Sequence, residues 1–584
     1  MGRARTDVAR GISICFAVSI AVALVLWAAL PGLAQEQGFE EVTSQASADG
    51  FLGTNGARAP KLDWDRCGRG PGRYQCATAE VPLSYRKPNG KTVELALGKL
   101  PAKARKNKVG TLFWNPGGPG GPGRFPPSFS PALRRSFDIV GFDPRGVGES
   151  DPVRCFGSFR KAIRAFGKPF PITEAQEQRV VEASRRGTTS CERNGGPLFS
   201  HVSTANVARD MEMLRRAVGA RKLNYIGFSY GTHLGEVYAN LFPGRVRAMT
   251  LDAVLDPVEW TTGEPGGGPA GDPGEPFSYR LGSFDGAQQS LESFLDACAE
   301  AEDCAFAEDG ADGSALLAKY ETLLDRLREE PAEITLPGGE ETFRVTYQDA
   351  VGITTSFLYD AAASPFLAEL LEDLYRATEP AARRADKPPT VDLPDVSTRP
   401  TLAPASAPAD DLARRRYTGG LEWFNAVSCA DTTNPDDPGV WYDFAAQADE
   451  DARGFGSLWT YASLPCATWP FVDRDRYVGP WTRKTAKTVL LIGNSQGDPA
   501  TPYEDAVATE ELLSNARLLT LDSFGHTAAY GGQSRCVNRT VDRYLIQGEL
   551  PPEGKVCQPD FGPFAEPSGS LRNVPKGPSF GQDN

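Results

Sequence analysis

The 584-residue sequence predicts an α/β fold, with a mostly parallel sheet and helices on both of its faces. Two observations support this prediction. Short apolar runs typical of buried strands alternate with stretches of helical periodicity between about residues 80 and 260. The same alternation returns after about residue 480, so both parts are expected to contribute strands to one α/β core.

The first part contains most of the predicted strands, namely VELALGKL (93–100), VGTLFWN (109–115), FDIVGFD (137–143), LNYIGF (223–228) and VRAMTLDAV (246–254). A helix is predicted over 203–219, where Ser203 or Thr204 can cap the start and Gly219 can end it. A second helix follows LNYIGF and continues up to Pro243. The last part contributes KTVLLIG (487–493), ARLLTLD (516–522) and a helix over 537–548.

The segment between these two parts has a different pattern, with helical stretches such as SALLAKYETLLDRLREE and PFLAELLEDLYRAT and two Pro-rich stretches. We interpret it as a mainly helical cap inserted into the core. The predicted organisation is a signal peptide or N-terminal anchor (1–34), a disordered linker (35–60), the first part of the core (61–260), the cap insertion (261–480), the C-terminal part of the core (481–560) and a loose tail (561–584).

The N-terminus is predicted to be a targeting segment. Arg3, Arg5 and Arg10 precede an uncharged run over 11–30, and a small-x-small cleavage signal follows at 32–34. The run fits a cleaved signal peptide, and it is also long enough to be a retained membrane anchor. In both cases the body of the protein lies outside the cytoplasm, and the membrane is a partner only if the segment is retained.

Cysteine usage agrees with export, because ten cysteines remain outside the apolar run and an even number suggests disulfides. Pairing of sequence neighbours predicts the bridges Cys67–Cys76, Cys155–Cys191, Cys298–Cys304, Cys429–Cys466 and Cys536–Cys557; several buried free thiols are the alternative. No CxxC pair or Cys/His cluster indicates zinc. We predict no metal and no cofactor.

The charge balance argues against nucleic acid as a partner. The net charge is −13, and no basic block occurs beyond the first residues.

Three Gly-x-Ser-x-Gly matches raise the question of which serine could be a nucleophile. A nucleophile elbow of an α/β-hydrolase requires a strand, a sharp turn and then a helix. Ser229 meets these requirements, since LNYIGF precedes it and a segment without helix breakers follows. Ser495 is followed by two prolines that would obstruct an elbow helix, and Ser579 lies in the Pro/Gly-rich tail. We therefore predict Ser229 as the nucleophile.

A serine nucleophile needs a base, and the chain has three histidines. The order of the triad in this fold is Ser, then Asp or Glu, then His, which selects His526. Asp498, directly after the strand KTVLLIG, is the predicted acid, and Asp522 is the alternative. His233 is interpreted as a packing or surface residue and His201 as a structural or capping residue.

The glycine-rich loop NPGGPGGPG follows the strand TLFW. Glycines allow main-chain N–H groups to face a substrate, because no Cβ stands in the way. We predict that the amides of Gly118 and Tyr230 form the oxyanion hole.

The motifs NPGGPGG, FDPRGVGES, ARDMEMLRRAVG, GFSYGTHLG, GDPATP and GHTAAYGG, in this order, resemble the exported tripeptidyl-aminopeptidase branch of the α/β-hydrolases, relatives of the proline iminopeptidases. The closing cysteine-bounded segment resembles the C-terminal segment of the same family. The resemblance implies a serine exopeptidase that removes short N-terminal peptides and whose helical cap limits access. By motif it assigns Ser229, Asp498 and His526 to the triad. Proline iminopeptidases begin the glycine loop with His, whereas Asn115 and Pro116 stand here.

An aminopeptidase must bind the α-ammonium group of its substrate, which requires acidic groups near the cap. Glu422 and Asp431 are the candidates, and surface solvation is the alternative for either. Two other functions stay open. A secreted carboxylesterase would use the same triad on acyl esters, and a non-catalytic binding protein would usually lack one member of the triad.

Overall fold

The computed structural model describes residues 53–67, 74–264, 274–335, 342–383, 388–390, 417 and 419–565. The predicted targeting segment, most of the predicted linker and most of the predicted tail therefore lie outside the described residues. Within the described part of the chain, none of the helices has the length and apolar character needed to cross a bilayer.

The central sheet has ten strands in the order β1-β2-β3-β5-β4-β6-β7-β10-β11-β12. The strands are β1 (Asp65–Arg66), β2 (Gln75–Pro82), β3 (Thr92–Leu100), β4 (Gly110–Asn115), β5 (Phe137–Phe142), β6 (Leu223–Phe228), β7 (Val246–Asp252), β10 (Val489–Asn494), β11 (Ala516–Leu521) and β12 (Lys555–Cys557). Antiparallel pairing joins β1 to β2, β2 to β3 and β3 to β5, and the remaining pairs are parallel. The mostly parallel sheet with its helices confirms the predicted α/β fold class.

Helices pack around this sheet and build the insertion. In chain order they are α1 (Pro131–Ser136), α2 (Phe159–Phe166), α3 (Glu174–Asn194), α4 (Thr204–Ala217), α5 (Tyr230–Leu241), α6 (Pro257–Thr261), α7 (Phe277–Arg280), α8 (Ser283–Glu300), α9 (Gly313–Glu329), α10 (Tyr347–Leu358), α11 (Ser364–Ala377), α12 (Pro380–Arg383), α13 (Leu421–Asp431), α14 (Val440–Asp451), α15 (Phe455–Thr460), α16 (Tyr503–Leu512) and α17 (Arg535–Gln547). Single 3₁₀ turns cover Arg105–Asn107, Pro197–His201, Pro243–Arg245 and Ala361–Ala363, and a longer 3₁₀ segment covers Tyr461–Thr468.

The seven strands predicted from apolar runs are present, and their bounds agree within a few residues. Strand signals were expected from about residue 80; β2 spans that residue, and the two-residue strand β1 lies before it and was not predicted. Strand β2 alternates buried and exposed residues, which is typical of a strand outside the fully buried centre of a sheet. Strand β12, three residues long, was too short to give an apolar run.

The cap segment leaves the sheet after β7 and returns to it at β10. Its helices share a hydrophobic core, which includes Leu291, Phe294, Leu323, Leu371 and Trp441 and to which Phe170 and Phe524 contribute from outside the segment. The segment is not purely helical, since a separate two-stranded hairpin is formed by β8 (Ala332–Thr335) and β9 (Thr342–Val345). The boundaries 261 and 480 remain a prediction.

The ten cysteines form five disulfides between sequence neighbours: Cys67–Cys76, Cys155–Cys191, Cys298–Cys304, Cys429–Cys466 and Cys536–Cys557. Disulfides persist in oxidising compartments, which agrees with the predicted export of the body of the protein. Cys429–Cys466 ties helix α13 to the 3₁₀ segment that follows α15, which crosslinks the cap.

Residues 53–60 are part of the folded body, although the sequence assigned them to a disordered linker. Ala57 is buried. The carbonyl of Gly53 accepts a hydrogen bond from Arg209, and that of Ala57 accepts one from Arg216. Both arginines lie on α4. The polar sequence of residues 53–60 did not indicate that this segment packs on that helix.

A buried ion pair joins the FDPRGVGES loop to α4. Arg145 and Asp210 are both fully buried, and two hydrogen bonds of 2.7 and 2.5 Å connect them. Tyr85 donates a third hydrogen bond to Asp210 at 2.7 Å. The remaining guanidinium donors bind the main-chain carbonyls of Pro82, Leu83 and His201. The side chain of Arg145, on the loop after β5, thus contacts the end of β2, the 3₁₀ turn before α4 and the middle of α4.

We expect Arg145→Met to lower the free energy of unfolding by about 3–5 kcal/mol, because it leaves the Asp210 carboxylate buried without a counter-charge. Urea unfolding followed by tryptophan fluorescence, with the disulfides intact, measures the change. The control is Arg186→Met, which removes an exposed ion pair with Glu182 and should cost less than about 0.5 kcal/mol. Equal effects of the two substitutions would contradict the role given to Arg145.

Candidate active site

Ser229 stands on a sharp turn between strand β6 and helix α5. Its φ is 55° and its ψ is −132°, a strained conformation for a residue with a side chain. The main chain of the turn is held by its neighbours, since Ser229 N–H donates to Asp252 O at 2.9 Å and Thr232 N–H donates to Ser229 O at 2.7 Å. This is the geometry of a nucleophile elbow.

The glycines that flank Ser229 are required by close packing. A Cβ on Gly227 would lie 2.2 Å from Gly231 O, and a Cβ on Gly231 would lie 2.9 Å from Asn115 O. Asn115 is the last residue of β4, so the elbow rests directly on the neighbouring strand. Any larger residue at either position would push the elbow away from the sheet.

The glycine loop after β4 lies against the elbow. A Cβ on Gly117 would be 2.9 Å from Ser229 Cβ and 3.2 Å from Tyr230 N. Gly117 and Gly118 have φ values of 95° and 118°, which favour glycine. Within the described part of the chain, neither Gly118 N–H nor Tyr230 N–H has an intramolecular acceptor. The glycine loop therefore packs against the predicted nucleophile, and both predicted oxyanion donors lack a partner within the described residues.

Asp498 and His526 form a hydrogen-bonded pair, in which His526 Nδ1 lies 2.8 Å from Asp498 Oδ1 and 3.0 Å from Oδ2. Asp498 follows β10, and His526 follows β11. The carboxylate is 1% exposed and also accepts hydrogen bonds from Ala500 N–H and from the Thr501 amide and hydroxyl. With Nδ1–H donating to the carboxylate, Nε2 carries the lone pair that a general base needs.

The alternative residues lie elsewhere. Asp522 accepts hydrogen bonds from Ser495, Gln496 and Gln558 and is not paired with His526. His233 is fully buried on α5 among Trp260 and Trp481, and burial lowers its pKa to about 3. Ser579 lies outside the described residues.

Asp252, at the end of β7, connects the elbow to the loop that carries His526. Its main-chain carbonyl accepts the Ser229 amide. Its carboxylate accepts hydrogen bonds from Ala528 N–H at 3.0 Å and Ala529 N–H at 2.7 Å. Burial raises the pKa of Asp252 to about 7, although these two amides lower it. Sequence reasoning missed this residue; its only signal was an acidic residue at the end of a buried strand.

The two carboxylates predicted to bind an amino-terminus have intramolecular partners. Glu422 is fully buried and accepts hydrogen bonds from Cys155 N–H and the Tyr417 hydroxyl. Asp431 is 2% exposed and accepts two from Thr204, at 2.8 and 2.5 Å. Surface solvation therefore applies to neither. Burial raises the pKa of Glu422, and it raises that of Asp431 to about 7.

Helix α13, which carries both carboxylates, packs on the glycine loop. A Cβ on Gly120 would lie 2.8 Å from Trp423 Cβ and 3.1 Å from Phe424 N. Glu422 precedes these two residues, so its side chain belongs to a part of the cap that borders the site.

Among the described residues, His201, Asp473 and Asp475 form a cluster whose donor atoms lie within 4.8 Å of one another. Such a set could hold a cation, but arginines already supply positive charge there. Arg86 forms an ion pair with Asp475, and Arg145 binds the carbonyl of His201. Asp473 caps the start of α4 through Ser203 N–H and Asn206, which explains its burial without a metal.

Comparison with known families supports the same fold. Residues 110–270 match the family described as alpha/beta hydrolase fold, and residues 451–557 match the family described as TAP-like protein. The first range contains β4, the elbow and β7, and the second contains Asp498 and His526.

Three relatives align over most of their length. Tripeptidyl aminopeptidase of Streptomyces lividans is 31% identical over 531 residues, which cover 87% of this chain and 89% of the relative. Serine protease Hip1 of Mycobacterium tuberculosis is 30% identical over 92% of this chain and 98% of its own. Carboxylesterase B of the same organism is 31% identical over 86% and 91%. The chain therefore belongs to the tripeptidyl aminopeptidase family of the α/β-hydrolases and is a serine hydrolase.

Proposed function

We propose that this protein is an exported aminopeptidase that releases tripeptides from free N-termini through an acyl-enzyme. The observation that carries the proposal is the hydrogen-bonded Asp498–His526 pair at the same edge of the sheet as the Ser229 elbow. Loops that follow parallel strands meet at one edge, and Asp252 bridges the two loops concerned. The similarity to tripeptidyl aminopeptidase supports the choice of substrate.

The reaction assigns one role to each group. His526 Nε2 removes the hydroxyl proton of Ser229 while Oγ attacks the substrate carbonyl. Asp498 keeps Nδ1 protonated and stabilises the imidazolium that forms. The amides of Gly118 and Tyr230 bind the developing oxyanion, aided by the N-terminal end of α5. The imidazolium then protonates the leaving amine, and water, activated by the same histidine, releases the tripeptide and restores the serine.

Recognition of a free N-terminus requires a negative charge near the cap. We propose Glu422 as the first candidate for this role, because α13 borders the glycine loop. Asp431 is the second candidate. In either case the α-ammonium group of the substrate would donate a hydrogen bond to the carboxylate, in addition to the intramolecular hydrogen bonds that it accepts now or in place of one of them.

The carboxylesterase alternative shares the triad and is supported by the similarity to carboxylesterase B. The two functions differ in the group that the cap must accommodate. Only the peptidase requires a carboxylate for an α-ammonium group.

The exported state is part of the proposal, and the five disulfides support it. Residues 11–30 lie outside the residues that the structure describes, so both a cleaved signal peptide and a retained anchor stay open.

The first prediction from the proposed function concerns the nucleophile. Ser229→Ala should lower kcat by about 10⁶-fold on both a tripeptidyl p-nitroanilide and p-nitrophenyl acetate, because both reactions need the same hydroxyl. The matched control is Ser495→Ala, at the second Gly-x-Ser-x-Gly match, which should leave kcat unchanged. Activity that survives in the first variant would reject the assignment.

The second prediction concerns the acid. Asp498→Asn should lower kcat by about 10⁴-fold, since an amide at this position no longer holds His526 in the reactive tautomer. Asp522→Asn is the control and should retain full activity. Both rates are measured on the acetate ester, which does not depend on peptide binding. The opposite result would move the acid to Asp522.

The third prediction separates the two candidate substrates. Acetylation of the tripeptide N-terminus should lower kcat/KM by about 10- to 100-fold, which corresponds to the ~1.5–3 kcal/mol of a hydrogen bond to a charged group. Glu422→Gln should lower activity on the free peptide and spare the acetylated one, with Asp431→Asn as the comparison and Asp522→Asn as the control. Equal rates on free and acetylated peptides, with faster ester hydrolysis, would favour the carboxylesterase.

A further inference from the structure

The cap contacts the main chain of His526 directly. Tyr359, the residue after α10, accepts the His526 N–H at its carbonyl, with a distance of 2.9 Å. The next residue, Asp360, pairs with Gly525 in an isolated antiparallel bridge. Gly525 has a φ of 117°, and a Cβ there would lie 3.2 Å from Tyr359 O. The glycine therefore leaves room for the cap segment beside the base.

The side chain of Tyr359 contacts the imidazole as well. The two ring centroids lie 4.8 Å apart, and the ring planes make an angle of 64°, an edge-to-face arrangement. Burial raises the pKa of the Tyr359 hydroxyl, and the charge of Asp498 raises it further, so the phenol stays neutral. The ring thus presents an uncharged surface to the imidazole.

The contact with Tyr359 restrains the plane of the imidazole, which the hydrogen bond to Asp498 does not do. The last torsion of a histidine side chain is broad, so rotamer preference does not set the plane of the ring. Both carboxylate oxygens of Asp498 lie close to Nδ1, at 2.8 and 3.0 Å. These contacts hold the position of Nδ1 but still allow the imidazole ring to rotate around that atom. A second contact on the ring is needed to direct Nε2 at a fixed point.

We propose that Tyr359 of the cap is a positioning residue for His526: its carbonyl holds the main chain, and its ring holds the plane of the imidazole. This inference rests on the proposed role of His526 as the base. The cap then contributes to catalysis itself, in addition to limiting access to the site.

The acid loop is held by the cap in a similar way, which supports the proposal. A Cβ on Gly286 of helix α8 would lie 2.2 Å from Asp498 O. A Cβ on Gly497 would lie 2.6 Å from Ser290 N, on the same helix. Both members of the acid–base pair are therefore packed against cap residues.

Four variants test the proposal: Tyr359→Ala, Tyr359→Leu, Tyr359→Phe and, as a control, Tyr375→Ala. The Leu variant fills space without an aromatic ring and serves if the Ala variant does not fold. Tyr375 is another half-buried cap tyrosine, and its ring contacts Arg326 instead of a catalytic loop. The measurements are kcat and KM on p-nitrophenyl acetate and on a free tripeptidyl p-nitroanilide, together with the midpoint of thermal unfolding.

We expect the Ala and Leu variants to lower kcat by about 10-fold on both substrates with unchanged KM, because a misdirected base slows both reactions. The Phe variant should restore kcat, and the control should retain it even if its unfolding midpoint falls. A rise in KM on the peptide alone would make Tyr359 a substrate contact and overturn the proposal. An equal loss of kcat in the control, or in the Phe variant, would overturn it too.

Other measurements show whether the proposed function itself is wrong, independently of the role of Tyr359. If Ser229→Ala remains active, the triad is wrong whatever the Tyr359 variants do. If the wild-type protein hydrolyses only esters, the acetate measurements still decide the role of Tyr359.

Discussion

The candidate site depends most on the hydrogen bonds that Asp252 accepts. The Asp252 carboxylate accepts the amides of Ala528 and Ala529, which are 276 and 277 residues away in the chain. The carbonyl of the same residue accepts the amide of Ser229. One fully buried residue at the end of β7 therefore sets the distance between the loop of the proposed base and that of the proposed nucleophile. Without it, main-chain donors would be left unpaired in the interior, which is costly.

The cap completes this arrangement from the other side. It contacts the base loop through Tyr359, the acid loop through Gly286 and the glycine loop through Trp423. A cap that only covered the site could move as a lid without affecting the acid–base pair. Here its contacts are made to the loops of the proposed acid and base themselves, so cap packing and the geometry of the pair are coupled. Helix α13 packs beside the glycine loop in the same way.

Local physics made much of the fold predictable from the sequence. Apolar runs of six to nine residues give the buried strands, and glycines at 227 and 231 leave space around the elbow. The segment after Ser229 contains no proline up to Pro243, whereas prolines follow Ser495 at positions 499 and 502, and this difference distinguishes the two serines. The order of serine, acid and histidine along the chain selected His526, and the position directly after another strand selected Asp498; the structure joins the two by a hydrogen bond. Sequence neighbourhood among the cysteines gave the five disulfide pairs.

The residues that support the pair could only be found in the folded structure. Asp252 carries only the weak signal of an acidic residue at the end of a buried strand, and Tyr359 carries none, because their roles arise from the order of strands in the sheet and from the point where the cap crosses it. The short strand β12 and the packing of residues 53–60 on α4 depend on distant partners in the same way. The sequence by itself determined seven of the ten strands of the central sheet, the elbow and the candidate roles of three side chains. The tertiary structure decided which distant groups hold them, since hydrogen bonds and packing across hundreds of residues follow no short-range pattern.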